Sequence, residues 1–499
     1  MSKIMDSSDI EISDMEISNK IQRLPNFLKI LFFVEMWERF SYYGMRSLLV
    51  IFLTSQLGFK DEKAYAIYSL FAAIGYAGPV LAGFLADKLV GFRSMVLIGG
   101  VIIIIGHAVM SFVELKTDFI YLGLALIAIG TGMFKGNISN LLGSCYNEND
   151  SERNRGFTIF YVGINLGAFL ASLSCGYVAH LYGWNYGFGL AGIGMMIGLI
   201  TFINFEYILK TSIKVHPLNP IRQKLFGIKT PTILFTGGLI VAILVAQMIM
   251  YSELFANVLA IIGVISFSVF VYIILKLPSE QRKKLIVLLI LIVFLMCFFA
   301  LEMQLGSLIA LFTHRNVHNE ILGMNIPAAV SQAINPLAII ILGSMMSSWM
   351  KFNSKYITAT FGFGILTMAI CFFILYMGCL NANSEGQVGY IYIIVGISIM
   401  SLGELCIGPV LNSQATLLSP NGLRGLTMGM IMLALAFSNL AGIVIAKFMS
   451  IPSVNGEVNH LESLSIYQEG FFNIAIFNLG FVVIFLVFYK FINKVISKQ

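Results

Sequence analysis

The sequence predicts an all-α polytopic membrane protein of fourteen spans, built as two six-helix bundles with two extra transmembrane helices between them. Three observations carry this reading. Charged residues are 11% of the 499 and hydrophobic ones 58%, where a soluble chain is about 25% charged, and mean hydropathy is +0.87. Apolar stretches long enough to span, about 20 residues each, are centred near 40, 76, 104, 130, 167, 198, 240, 265, 297, 338, 367, 402, 436 and 482. None alternates with the period of two that an outer-membrane barrel requires.

Taken in order, residues 1–25 are polar and acidic, lack the basic and apolar regions of a signal peptide, and read as a cytosolic tail. Residues 26–210 supply six spans. Residues 211–283 form a linker with two extra spans, flanked by the basic segments KVHPLNPIRQKLFGIK and KLPSEQRKK. Residues 284–494 supply six more, and 495–499 are a cytosolic end. Setting the linker aside leaves six and six, the arrangement of a transporter made of two halves. With the N-terminus in the cytosol, 22 Lys and Arg fall in inside loops against 5 outside, so both termini are expected inside. The net charge of +6 is thereby explained by the membrane, not by nucleic acid.

Several functions are disfavoured. The six cysteines are scattered, with no CxxC and no zinc spacing, so neither a metal nor a cofactor is expected. HExxH and GxSxG are absent as well, which argues against an enzyme.

The first span is unusual. FFVEMWERFSYYGMR, residues 32–46, carries two glutamates and two arginines inside apolar sequence, where each charge costs at least about 2.5 kcal/mol. At 100° per residue Glu35, Arg39, Tyr42 and Arg46 fall within about 60° of one another, with Glu38 and Tyr43 at the margins. A stripe like this must face a protein interior or a wet cavity. Stability alone is a poor reason for it, because apolar residues replace buried ion pairs without loss. Further along, Lys135 lies in the fourth span, where Gly130, Gly132 and Gly136 allow another helix to approach. Its setting, GTGMFKGN, is not a phosphate loop, since GK[ST] and a preceding strand are both missing. Glu302 and Glu404 are the membrane-depth acids of the second half, and Asn335 precedes Pro336, which fits either a kink or a substrate contact.

Sorted by half, the first holds Arg39, Arg46 and Lys135 with Glu35 and Glu38 among them, and the second holds Glu302 and Glu404 with no buried base. A pocket between the halves would be cationic on one wall and anionic on the other, matching a zwitterion with separated ends. Tyr42, Tyr43 and Tyr76 are the candidates for accommodating varied side chains.

These residues also carry a resemblance. EMWERFSYYG resembles the ExxER-F-x-YYG signature of the proton-dependent oligopeptide transporters, a branch of the major facilitator superfamily. GTGMFKGNIS, FYVGINLGA, GFLADKLVGFR, INPLAIIILG and GELCIGPVLNSQATLLSP resemble further motifs of that family. The resemblance implies the major facilitator fold and a proton-coupled symporter that imports di- and tripeptides by alternating access, as a monomer in the cytoplasmic membrane. It implies proton coupling through Glu35, Glu38, Arg39, Lys135 and Glu302. It implies substrate contacts from Arg39, Tyr42, Tyr43, Arg46, Tyr76, Lys135, Asn165, Asn335 and Glu404. In it Lys135 pairs with the first-span carboxylates and meets the substrate carboxylate, and Glu404 meets the peptide amino group. In many relatives the acid directly precedes the glutamine that matches Gln304, where this chain has Met303. Arg46 and Glu302 are expected to approach when the outer mouth closes. His107 is expected to be a buried structural residue, and His314 and His318 to be solvated. The alternatives are a proton-coupled transporter of another small anion or amino-acid conjugate, or a membrane sensor that binds peptides.

Overall fold

The computed structural model describes residues 24–497 apart from 148–149, 151, 215–223, 226, 322, 350–355, 421 and 452–457. Residues 1–23, nearly all of the expected tail, lie outside it.

The first six spans are α1 (Asn26–Ile51), α2 (Asp61–Leu85), α3 (Gly91–Met110), α4 (Phe119–Ser144), α5 (Glu152–Tyr182) and α6 (Trp184–Asn204). A short α7 (Glu206–Ser212) follows. The extra spans are α8 (Thr230–Met250) and α9 (Ser252–Lys276). The ninth span is α10 (Ser279–Glu302), a 3-10 turn Met303–Gly306, and α11 (Leu308–Asn316). The tenth opens with a 3-10 turn, Ala328–Ala333, and continues as α12 (Ile334–Trp349). The last four are α13 (Ile357–Leu380), α14 (Tyr390–Leu418), α15 (Arg424–Lys447) and α16 (His460–Ile496). All fourteen expected spans are therefore helical. By length and hydropathy alone twelve stretches qualify, with α2 and α3 counted together as Asp61–Met110. They separate at Gly91, whose φ of 79° suits glycine. The charges of α1 keep it out of that count, although it is the most interior helix of the set.

In the first half α1 packs on α5 and α6, and α4 packs on α2 and α3; in the second, α13 packs on α14 and α16, and α10 on α15. The halves meet through α2 against α15 and through α5 against α12 and its preceding turn. Of the extra pair, α8 lies on α4 and α3, while α9 touches α2, α15 and α10. Lipid is as apolar as leucine, so close packing holds such helices together. Glycine permits it where the site is built. A Cβ on Gly167 of α5 would lie 2.1 Å from the Met36 carbonyl oxygen and 3.1 Å from Arg39 Cβ, so α5 sits directly on the charged stripe. A Cβ on Gly78 would lie 3.0 Å from Gly132 Cα, and one on Gly132 3.0 Å from Gly78 Cα. This draws α4, and Lys135 with it, against α2.

Candidate functional site

The stripe of α1 is buried as its periodicity predicts. Glu35, Glu38 and Arg39 are each 1% exposed or less. Arg39 ion-pairs with both carboxylates, 3.3 Å from Glu35 and in direct contact with Glu38. One guanidinium thus serves two acids. Among the described residues, Glu35 Oε2 and Glu38 Oε1 are buried and find no hydrogen-bond partner.

The residues around this pair are half-buried, not sealed. Tyr43, Tyr76, Lys135 and Glu404 all keep partial exposure at membrane depth, as expected of groups that line a cavity. Lys135 Nζ stands 4.3 Å above the Tyr76 ring. Glu35 and Glu38 are within its electrostatic reach, but neither is its ion-pair partner. The pairing that the family resemblance implies is therefore not made in this conformation, because Arg39 already occupies both acids. Tyr42 stacks on Phe71 at 5.7 Å and lies beside the Arg39 guanidinium at 5.4 Å. Asn165, two residues before Gly167, donates its amide back to the Tyr161 carbonyl at 3.1 Å.

On the facing wall, Asn335 donates to Glu404 Oε2 at 3.1 Å and to Ser401 Oγ at 3.0 Å. The Asn-Pro amide thus orients an acid, beyond marking a kink. Tyr43 of the first half lies within electrostatic reach of both Glu302 and Glu404 of the second, so the two walls face one another.

Arg46 comes near Glu302 without pairing with it. Its Nε donates to Tyr68 Oη at 2.5 Å, and Nη2 approaches Met303 Sδ at 3.5 Å. Arg46 is the cation nearest in influence to Glu302, yet no ion pair forms, and Glu302 Oε2 is buried and unpartnered. The one-residue offset at Met303 has its consequence here: the thioether, not the carboxylate, meets Arg46. His107 is buried and shares a 2.7 Å hydrogen bond with Ser41, as a structural residue would, and His314 and His318 are exposed.

Sequence reasoning missed Tyr68 and Ser401. It also missed a set of bonds between the halves near the N-terminus of α2. Arg315 makes two 2.7 Å hydrogen bonds to Asp61, which also accepts from the Ile451 N–H at 3.1 Å. Lys447 lies 3.7 Å from Glu62; on α1, the Ser47 carbonyl accepts from Gln332 of the other half at 3.1 Å. No local signal announces partners so far apart in sequence. Among the described residues no group of His, Cys, Asp or Glu is arranged to hold a metal.

Two helical bundles whose membrane-buried charges face each other across half-exposed side chains define a solute transporter of the major facilitator fold. The chain belongs to the POT family, whose model matches residues 93–461. It is 30% identical, over 91% of its own length and 89% of the relative's, to dipeptide and tripeptide permease A of Salmonella typhimurium strain LT2. Among solved structures it resembles one described as giving insights into substrate recognition in proton dependent oligopeptide transporters. That match has 28% identity and a TM-score of 0.81, and covers 95% of this chain and 99% of that one. It also resembles a POT family transporter in complex with 5-aminolevulinic acid, at 26% identity and TM-score 0.79, over 94% and 97%.

Proposed function

We propose that the protein is a proton-coupled symporter that imports di- and tripeptides across the cytoplasmic membrane by alternating access, with both termini in the cytosol. The observation that carries this is the polarity of the two walls. Arg39, Arg46 and Lys135 stand on residues 26–210, and Glu302 and Glu404 on residues 284–494. The names of the permease relatives support the same substrate class. A short peptide bridges such a site with its carboxylate on the first wall and its ammonium on Glu404, leaving its side chains to Tyr42, Tyr43 and Tyr76. The grip is on the peptide ends, so many side chains are accepted. Asn335 keeps the Glu404 carboxylate aimed, and Asn165 sits where the arriving peptide meets α5. Among its described residues the 211–283 linker with its two extra helices contributes no charge to this site, and a single chain supplies every residue of it.

Coupling uses the crowding at Arg39. A substrate carboxylate that engages Arg39 or Lys135 takes that cation from Glu35 or Glu38. A carboxylate that loses its cation binds a proton more readily. The unpartnered oxygens of Glu35 and Glu38 are where that proton is received. Substrate and proton together thus dissolve an internal ion pair, and the balance between the two access states shifts. By the loop-charge orientation, the Asp61–Arg315 contacts close the outer end, and the site communicates with the cytosol.

A second reading is favoured by the neighbour bound to 5-aminolevulinic acid, a small amino acid: the cargo would be a compact zwitterion. The experiment is purified protein in liposomes with an inward proton gradient, with labelled dialanine uptake competed by tripeptides, free amino acids and 5-aminolevulinic acid. Peptides are expected to compete and free amino acids to fail. Preferential competition by 5-aminolevulinic acid over dipeptides would install the second reading.

A further inference from the structure

We propose that Tyr68 is a positioning residue that holds Arg46 away from Glu302 while the Asp61 end of the molecule is closed. Three observations converge on it. The Tyr68 hydroxyl accepts from Arg46 Nε at 2.5 Å, and the Arg46 cation lies 5.7 Å from the Tyr68 ring centroid. The same hydroxyl is seated in a notch of the opposite half: a Cβ on Gly306 would come within 2.0 Å of Tyr68 Oη and 2.7 Å of its Cζ. Glu302, four residues before Gly306 and 5% exposed, has Arg46 as its nearby cation but keeps one oxygen buried and unpartnered.

The notch exists because the ninth span breaks there. Helix α10 stops at Glu302, Met303–Gly306 forms a 3-10 turn, and Ser307 leaves helical geometry at φ −127°, ψ −90°. Tyr68 and Arg46 come from α2 and α1, whereas Gly306 and Met303 come from the second half. Tyr68 therefore enters its notch only when the halves are together at this end. While seated it supplies Arg46 with an acceptor, and Met303 fills the other side of the guanidinium. The cation has a place to rest that is not Glu302. On separation Gly306, Met303 and Glu302, all of the second half, withdraw together, and Arg46 keeps Tyr68 alone. Opening therefore proceeds without an Arg46–Glu302 bond to resist it.

The inference rests on Arg46 and Glu302 belonging to the coupled site proposed above, but its test needs no substrate. Spin labels at Glu62→Cys and Lys447→Cys, which face each other across the closed end, report the closed fraction in liposomes by their distance distribution. The six native cysteines, buried or half-buried, are checked for labelling in the parent protein. In Tyr68→Phe the ring still fills the notch while the acceptor is lost. Arg46 then pairs with Glu302 across the halves, and the ratio of closed to open molecules should rise at least twofold. Adding Glu302→Gln should cancel that rise and return the ratio to that of Glu302→Gln alone. If Tyr68→Phe does not yield monodisperse protein, Tyr68→Leu takes its place. No rise, a fall in the closed fraction, or a rise that survives Glu302→Gln would each overturn the proposal. Dialanine counterflow by the parent protein in the same liposomes tests the peptide reading separately.

Discussion

Among the described residues Glu404 makes no ion pair; the neutral Asn335 amide donates to it and to Ser401 Oγ. A carboxylate so held is free to take an ammonium. Losing a hydrogen bond to a charged group costs about 1.5–3 kcal/mol, so Glu404→Gln should weaken dialanine binding roughly ten- to a hundredfold. N-acetyl-dialanine should bind the parent protein that much more weakly, yet show little further loss in Glu404→Gln. Equal binding of the two ligands by the parent protein would remove Glu404 from the amino-group site. At α1, Glu35→Gln, Glu38→Gln and Lys135→Ala should each abolish proton-driven uptake, with counterflow retained in some. Breaking a buried pair destabilises by about 3–5 kcal/mol, so thermal melting must accompany transport. Normal driven uptake by all three folded variants would make the stripe structural. The stripe was legible because charges at i, i+3 and i+4 in an apolar run mark one helix face. The partners Tyr68, Met303 and Ser401 were not, because which residue of a neighbouring helix arrives is decided by packing between helices.

At the scale of the helices, each span was readable from length and hydropathy, and the glycines of GTGMFKGN announced a close crossing. The 3-10 break after Glu302 and the short α7 were not readable. The break carries no local sequence signal and shows only in how Gly306 receives Tyr68 from the other half, and α7 is too short for a periodic signal. Gly167→Ala should lower the melting temperature in detergent, because its Cβ would strike the Met36 carbonyl oxygen at 2.1 Å and overpacking costs roughly 1–3 kcal/mol. Gly237→Ala, in α8 with nothing within 4 Å of the added Cβ, should leave melting unchanged or raise it, by up to about 1 kcal/mol from helix propensity. A Gly167→Ala protein as stable as the Gly237→Ala one would contradict the α1–α5 packing.

Across the whole molecule, the two-half plan followed from the span count and the separation of charge, whereas the contacts that hold one end shut came only from the fold. Among the described residues several bonds between the halves gather at Asp61 and Glu62. Asp61 is 4% exposed, so its pair with Arg315 is shielded from solvent, unlike the exposed Lys447–Glu62 pair, which is worth about 1 kcal/mol at most. Asp61→Asn should therefore shift the 62/447 label distances toward the open state, and Asp61→Arg with Arg315→Asp should partly restore them; an unchanged distribution in Asp61→Asn would deny the pair its role as a latch. In the proposed mechanism one buried site exchanges an internal ion pair for a peptide and a proton. Its most direct test is dialanine accumulation in proteoliposomes, followed through the addition of a protonophore. Peptide should concentrate inside above the external level under an inward proton gradient, and run down to equality when the gradient is collapsed. Accumulation that persists after full collapse would contradict the account.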